Sequence, residues 1–426
     1  MGAVFLVSPA VAQRVAYEQS PINYLDAEVN DRIAALAKRI DNGDVVLKHE
    51  PEHGYLRSVL AALDVPISSQ TLVFSKTSLQ LQRISPRRPR ALYFNDDVYV
   101  GFCQRGDVLE FAATDADQGA TFYTLSQEET AKPTFVRDRG GCLTCHASSR
   151  TQGVPGYLVR SVFADAAGRP KFASGSFTTD HTSRFEDRWG GWYVTGRHGS
   201  MRHMGNVICK GDETTFDREL GANQLDLSPF FRIESYLAPT SDVVALMVLE
   251  HQTQMHNAIA AANYETRLAL HQSYEMNALL DRPAGFISDS AQRRISSAAD
   301  QVLRYLLFCE EFRLTDPVTG SNQFADEFQQ RGVRDSAGRS LRDLDLQTRL
   351  FKYPCSYLIH SESFAALPVE VKSLVFQRLD AILRGNDTTE TYSHLSVQQR
   401  RVIQGILRET LPDFESHRDF SLSGLP

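Results

Sequence analysis

Residues 91–125 read ALYFNDDVYVGFCQRGDVLEFAATDADQGATFYTL, and this stretch sets the expected fold. Four segments in it, 91–94, 98–103, 108–113 and 121–125, are rich in aromatic and β-branched residues. Such side chains suit a pleated, half-buried surface. Between them lie Asn95-Asp96-Asp97, Arg105-Gly106-Asp107 and Asp117-Gln118-Gly119, which carry turn chemistry. Connections this short join antiparallel neighbours, because a parallel crossover needs a dozen or more residues. The stretch is therefore expected to form an antiparallel meander.

On the N-terminal side, Ile33, Leu36, Ala37 and Ile40 stand at helical spacing, and Asn42-Gly43 stops that helix. A second short helix is expected over 55–63 and a strand over 71–74. His49 and His53 stand four apart beside Glu50 and Glu52. On a helix that spacing suits a metal. Pro51 between them makes a solvated loop the expectation instead.

On the C-terminal side, a polar loop over 126–141 leads to Cys142-Leu143-Thr144-Cys145-His146. Two thiols three residues apart on one turn can each bond a vinyl carbon of the same porphyrin, and the adjacent imidazole reaches its iron. The expected cofactor is one covalent haem c, held by Cys142 and Cys145, with His146 on the metal. A zinc site would need a second cysteine or histidine pair, and Cys103, Cys209, Cys309 and Cys355 are isolated. A thioredoxin-like redox pair would open a helix in a βαβ setting, which the neighbouring pattern does not offer. Gly140-Gly141 frees the backbone where a large planar group must approach.

Strands are expected over 157–163 and 171–174. Residues 180–206 then hold both tryptophans, Trp189 and Trp192, with His181, Tyr193, Arg197, His198, Met201, Arg202, His203 and Met204. A haem site uses flat aromatic walls, cations near the propionates, and a sixth ligand or a vacancy. Trp192, Tyr193 and Arg197 are expected against the cofactor. His198, His203 and Arg202 are candidates for a proton donor and charge stabiliser over an iron-bound ligand.

Cys142–His146 resembles the attachment site of c-type cytochromes, over those five residues. The N-terminal half is also similar to secreted, single-haem bacterial proteins. The cytochrome resemblance implies a distal methionine some tens of residues further on. Met204 follows His146 by 58 positions (204 − 146) and fits, with Met201, His198 and His203 as rivals. Small cytochromes are nearly all helical, so a motif that follows a meander is not expected to sit in their compact fold.

From about residue 240 the pattern turns helical. Ser241 or Thr240 is the expected N-cap of a helix running to about Leu280, where Arg282-Pro283 and Gly285 break it. One face carries Val244, Val248, His251, Met255 and Ala258, so His251 or Met255 could also be presented to an iron. Further helices are expected over 291–313, 341–351, 368–384 and 396–409, with a loop over 315–340. The expected class is α+β: an antiparallel, β-rich, haem-bearing region over 14–239, then a mainly α-helical region over 240–426.

The chain has 426 residues, 42% hydrophobic and 23% charged, which excludes wholesale disorder. A net charge of −7 argues against a nucleic-acid surface. No apolar run approaches the roughly 20 residues of a membrane span. Apolar residues 2–7, with Ala10 and Ala12 before Gln13, have the look of the end of a secretory signal over 1–13. A periplasmic or secreted protein is expected, in which Cys309–Cys355 and Cys103–Cys209 disulfides could form. The function expected is one-electron transfer to a redox partner protein. A haem-dependent oxidoreductase, peroxidase- or oxygenase-like, with an open or labile sixth iron site and a small-molecule substrate is the alternative. A haem-based sensor or binding module is the second.

Overall fold

The computed structural model describes residues 16–210 and 217–416, so the signal-like stretch 1–13 lies outside the described residues. The class is α+β. Helices α1 (Arg32–Asp41) and α2 (Leu56–Ala62) precede strands β1 (Thr71–Val73), β2 (Arg90–Phe94), β3 (Val98–Phe102), β4 (Val108–Asp115), β5 (Gly119–Ser126) and β6 (Phe135–Arg137). One helical turn, α3 (Leu143–His146), is followed by β7 (Arg160–Val162), β8 (Ser176–Thr178) and β9 (Trp192–Tyr193). The remainder is helical: α4 (Val243–Leu279), α5 (Asp289–Leu306), α6 (Phe324–Gln330), α7 (Glu362–Ala365), α8 (Val369–Arg384) and α9 (Val397–Thr410).

Seven strands form one sheet in the order β6-β5-β4-β3-β2-β1-β9, and β7 pairs with β8 separately. All the pairings are antiparallel. The alternation in 108–115 is realised, since every second residue of β4 is buried. One face of the sheet packs under α1 and α2, through Ile33, Val59, Tyr93, Val100 and Leu109. The other face meets α4, through Tyr99, Phe122 and Trp192. Successive residues of a strand point to opposite faces, so Trp192 joins the α4 side and Tyr193 the α1 side. Asp31 ties the first layer down: Oδ1 accepts from the N–H of Ile33 (2.8 Å) and Ala34 (2.9 Å), and Oδ2 from the hydroxyls of Thr121 and Tyr123 on β5.

Helix α4 has 37 residues and is about 55 Å long. Its N-cap is Asp242, not Ser241 or Thr240: Asp242 Oδ1 accepts from Val244 N (2.8 Å) and Ala245 N (3.0 Å). Ser241 ties the sheet edge instead, accepting from Leu72 N and donating to Tyr193 O. The first half of α4 is buried on all sides, between the sheet and helices α5 to α8. The apolar core around it runs from Tyr17 to Phe414, without a break near residue 240.

Several expectations shift for identifiable reasons. Residues 135–137 form edge strand β6 inside the stretch read as loop. The second strand of the small hairpin is β8 at 176–178, because 172–174 make a 3-10 turn ended by Gly175 at φ 124°. Helix α5 stops at Leu306, since Phe308 and Glu310 adopt left-handed φ. Residues 341–351 make turns, with Leu346 at φ 56° and Asp345 Oδ1 accepting from Gln347 N and Thr348 N. Helix α6 lies in the expected loop. His53 is buried against Phe102 and the half-buried His49 bonds Gln127 O at 3.0 Å, so the two histidines are packed while Pro51 and Glu52 between them stay exposed. All six cysteines are free thiols. The Cys103–Cys209 pairing fails on location: Cys103 lies near Arg90 and Glu110, whereas Cys209 packs with Phe163 and Met204. Cys309 and Cys355 are each buried as single thiols.

Candidate functional site

The turn α3 places the motif. Asp138 Oδ2 accepts from the N–H of Gly140 (3.1 Å) and Cys142 (2.9 Å), which curls the Gly140-Gly141 approach onto the turn. Leu143 is buried in the main core and anchors it. Cys145 is exposed, whereas Cys142 is half-buried and packs against the same core as Leu143. Burial, and then Asp138, push the Cys142 thiol up to about 12.

His146 is held on both sides. Its Nδ1 is 2.9 Å from Gly156 O, and its own carbonyl accepts from Gly156 N at 2.8 Å. A carbonyl can only accept, so Nδ1 carries the proton and the lone pair lies on Nε2. Burial holds the ring below its ordinary pKa, which keeps Nε2 unprotonated. Phe122 packs against the ring at 4.9 Å. This is how metal-binding imidazoles are oriented: one nitrogen donates to a backbone carbonyl and the other faces the metal.

The carbonyl is itself fixed by α4. Asn257 Oδ1 accepts from Tyr157 N (2.8 Å) and its Nδ2 donates to Tyr157 O (2.8 Å). A Cβ on Gly156 would stand 2.3 Å from Asn257 Oδ1. Gly156→Ala is expected to force this loop away from α4 at a cost of about 1–3 kcal/mol, read as a lower urea midpoint. An unchanged midpoint would show slack between residue 156 and Asn257.

Segment 180–206 spreads its side chains over several neighbouring elements. Trp192 Nε1 donates to Arg160 O (2.8 Å), and Tyr193 OH to Pro86 O (2.7 Å). Arg197 is exposed and its backbone pairs with Thr319. His198 is satisfied at both nitrogens, by Met201 O (2.8 Å) and Asn223 N (3.0 Å). His203 Nδ1 accepts from Gly205 N, and its ring lies 4.7 Å from that of His198 and 5.3 Å from Trp189. Arg202 forms a two-pronged pair with Glu219, 2.7 Å at each prong. The structure thus brings His198, His203 and Arg202 together. Among the described residues, no hydrogen bond or ring contact joins them to His146.

Met204 is buried with Phe163 and Cys209, and its sulfur accepts from Ser161 Oγ at 3.6 Å. Ser161 is the middle residue of β7. Its neighbour Arg160 points to the other face, where its Nε donates to Ser176 Oγ and it lies within electrostatic reach of Cys145. Side chains alternate across a strand. Met204 therefore sits on the face of the β7–β8 hairpin opposite the one that faces Cys145.

Sequence reading missed the polar middle of α4. Arg188 Nη1 meets Glu250 Oε2 at 3.1 Å with both side chains buried. The rest of its guanidinium donates to Ser183 O and His181 O. Burial, against the pull of Arg188, raises the Glu250 carboxyl to about 7. His181 and His251 face each other Nδ1 to Nδ1 at 3.1 Å, and His251 Nε2 lies 2.8 Å from Ser356 Oγ. Both rings are held neutral by burial, and His251 has no free nitrogen for an iron. The signal was present as Glu250-His251-Gln252-Thr253-Gln254, a polar run interrupting an apolar helix.

No protein-family model matches the chain, and neither a curated protein nor a solved structure is detectably similar to it.

Proposed function

We propose that this chain is a mono-haem carrier of single electrons, with haem c bonded through Cys142 and Cys145 and His146 on the iron. The observation that carries the reading is the His146 clamp: Nδ1 is spent on Gly156 O, Nε2 keeps its lone pair, and the same turn carries two free thiols. These residues fit the group. When bound, the haem supplies a metal that changes charge by one. The chain's share is to orient the imidazole, through Gly156 and Asn257, and to present Cys145 at the surface. The exposure of Cys145 supports a seat with one edge open to a redox partner protein. Attachment of this kind belongs outside the bacterial cytoplasmic membrane, which agrees with a periplasmic or secreted protein. No described helix is long and apolar enough to cross a membrane.

The placement of Met204 favours a second reading, an oxidoreductase with an open sixth position. One experiment covers both. The protein is made in a host that attaches haem c, and the ferric and ferrous visible spectra are recorded with and without carbon monoxide, for wild type and Met204→Ala. Retention of haem after denaturation is expected, and a colourless protein would sink the haem assignment. A low-spin spectrum, indifferent to carbon monoxide, supports the carrier. A high-spin spectrum with ready carbon monoxide binding supports the enzyme. From the hairpin geometry, Met204→Ala is expected to leave the spin state unchanged. A change would show that Met204 crosses the hairpin.

A further inference from the structure

A cleft of about 230 Å³ opens between the β2–β3 turn, the start of α1, the residues after α6 and the approach to α7. Its wall carries three guanidinium groups, Arg32, Arg331 and Arg342, and three carboxylates, Asp96, Asp97 and Glu362. Its volume sits just below the roughly 300–1,000 Å³ usual for ligand clefts, so it suits a small molecule and not a peptide. The turn that bears Asp96 and Asp97 is held stiff. Asn95 Oδ1 accepts from Asp97 N (3.1 Å) and Val98 N (2.9 Å), while Gln252 and His256 of α4 donate to Asn95 O (2.7 Å) and Asp96 O (2.8 Å).

Arg342 is the fixed cation of the cleft. Its side chain is nine-tenths buried, and its guanidinium carbon lies 4.3 Å from the centre of the Tyr357 ring and 4.7 Å from that of Phe328. Nη2 pairs with Asp96, whereas Nη1 is buried and, among the described residues, has no hydrogen-bond partner. A charged N–H shut away without an acceptor is costly and calls for an oxygen that the chain itself does not supply. Arg331 adds a second cation, and its carboxylate partner, Asp64 at 3.3 Å, is itself exposed. The acids have the converse need. Asp97 keeps Arg32 at 3.2 Å, yet burial and then Asp96 raise its carboxyl to about 6. Glu362, exposed at the same cleft and without a cation in salt-bridge distance among the described residues, adds to that rise.

We propose that this cleft binds a free α-amino acid, or an equally small amino carboxylate, with its carboxylate on Arg342 and Arg331 and its ammonium on Asp97 and Glu362. A plain carboxylate would meet three carboxylates on the wall. A plain amine would meet three guanidinium groups and leave Arg342 Nη1 unpaired. A molecule with both charges answers both needs, and a guanidinium matches the two oxygens of a carboxylate. The two rings and Asp96 hold Arg342 in place beforehand, so little rotamer freedom is lost on binding. The site goes beyond the haem reading and does not rest on it.

Isothermal titration calorimetry on the full chain, with the common L-α-amino acids as probes at millimolar concentration, tests this. At least one is expected to bind. Its deaminated carboxylic acid and its decarboxylated amine should each bind about tenfold more weakly or worse, because each loses one set of charged hydrogen bonds. Arg342→Gln removes the anchor but also leaves Asp96 without its cation, so the deciding variants are Arg331→Gln and Glu362→Gln, both at exposed positions. Arg331→Gln should weaken the amino acid and its deaminated acid alike. Glu362→Gln should weaken the amino acid several-fold and leave the deaminated acid no weaker. Arg304→Gln, which breaks a pair with Glu310 outside the cleft, should bind as wild type. Binding of no amino acid overturns the proposal. Equal binding of the deaminated acid or of the amine also overturns it, since the cleft would then read one charge only. Wild-type affinity in both Arg331→Gln and Glu362→Gln does the same, by placing the amino acid elsewhere on the chain.

Discussion

Replacing Cys142 and Cys145 together by alanine is expected to abolish haem staining of the denatured protein. On the proposed attachment the haem would be bonded covalently only through those two sulfurs, and His146 alone would not hold it through denaturing electrophoresis. Either single variant keeps one sulfur and should retain stain, with a shifted absorption band. The fold should tolerate the change. Cys145 is exposed, Cys142 half-buried, and the anchoring contact of the turn is Leu143, which is untouched. Far-ultraviolet circular dichroism should therefore match wild type. A stained band from the double variant would mean that the sulfurs are not the attachment points.

Arg188→Ala is expected to be the most damaging single substitution away from the motif, costing about 3–5 kcal/mol at pH 8. It leaves Glu250 without its cation at the buried centre of α4. The effect should depend on pH, and the sign follows from the raised carboxyl. Glu250 in the folded protein titrates near 7, above its ordinary 4.5. Its contribution to stability is thus fully present below about pH 4.5 and is lost as pH rises through 7. Without Arg188 the folded carboxyl titrates higher still, so the loss between pH 5 and pH 8 becomes larger. Urea unfolding at the two pH values measures this. Equal stability of wild type and Arg188→Ala at pH 8 would remove the pair from the ledger of the core. Adding Glu250→Gln to Arg188→Ala should restore part of the loss at pH 8, since a neutral amide needs no counter-charge.

Much of the sheet was legible because its signals are local. Alternation within 108–115 and short polar turns around it are properties of a few neighbouring residues, and β2 to β5 form within one or two residues of the expected places. What shifted, or gained a setting the pattern could not give, depends on distant partners. Strand β6 exists because β5 offers it an edge, and residues 135–137 show no alternation of their own. Asp242 outcompetes Ser241 as a cap because Ser241 is drawn away to Leu72 and Tyr193. The expectation for Met204 came from spacing along the chain. Spacing cannot tell which side of a hairpin a side chain will occupy, and Ser161 decides that here. The aromatic and basic residues of 180–206 were read as one surface, yet Trp192 and Tyr193 point to opposite faces of the sheet.

The continuous core around α4 has a consequence for how the molecule comes apart. The sheet leans on α4 through Tyr99, Phe122 and Trp192, and helices α5 and α8 lean on it from the other side. Residues 195 and 241–243 are stitched backbone to backbone at the point where the two regions meet. The β-rich half keeps an interior of its own under α1 and α2, but the face it turns to α4 has none without the helices. Amide protons near the start of α4 should be among the last to exchange, released only when sheet and helices open together. The turn that carries Cys142–His146 would then be released together with the helices, since Leu143 packs into the same core as α4.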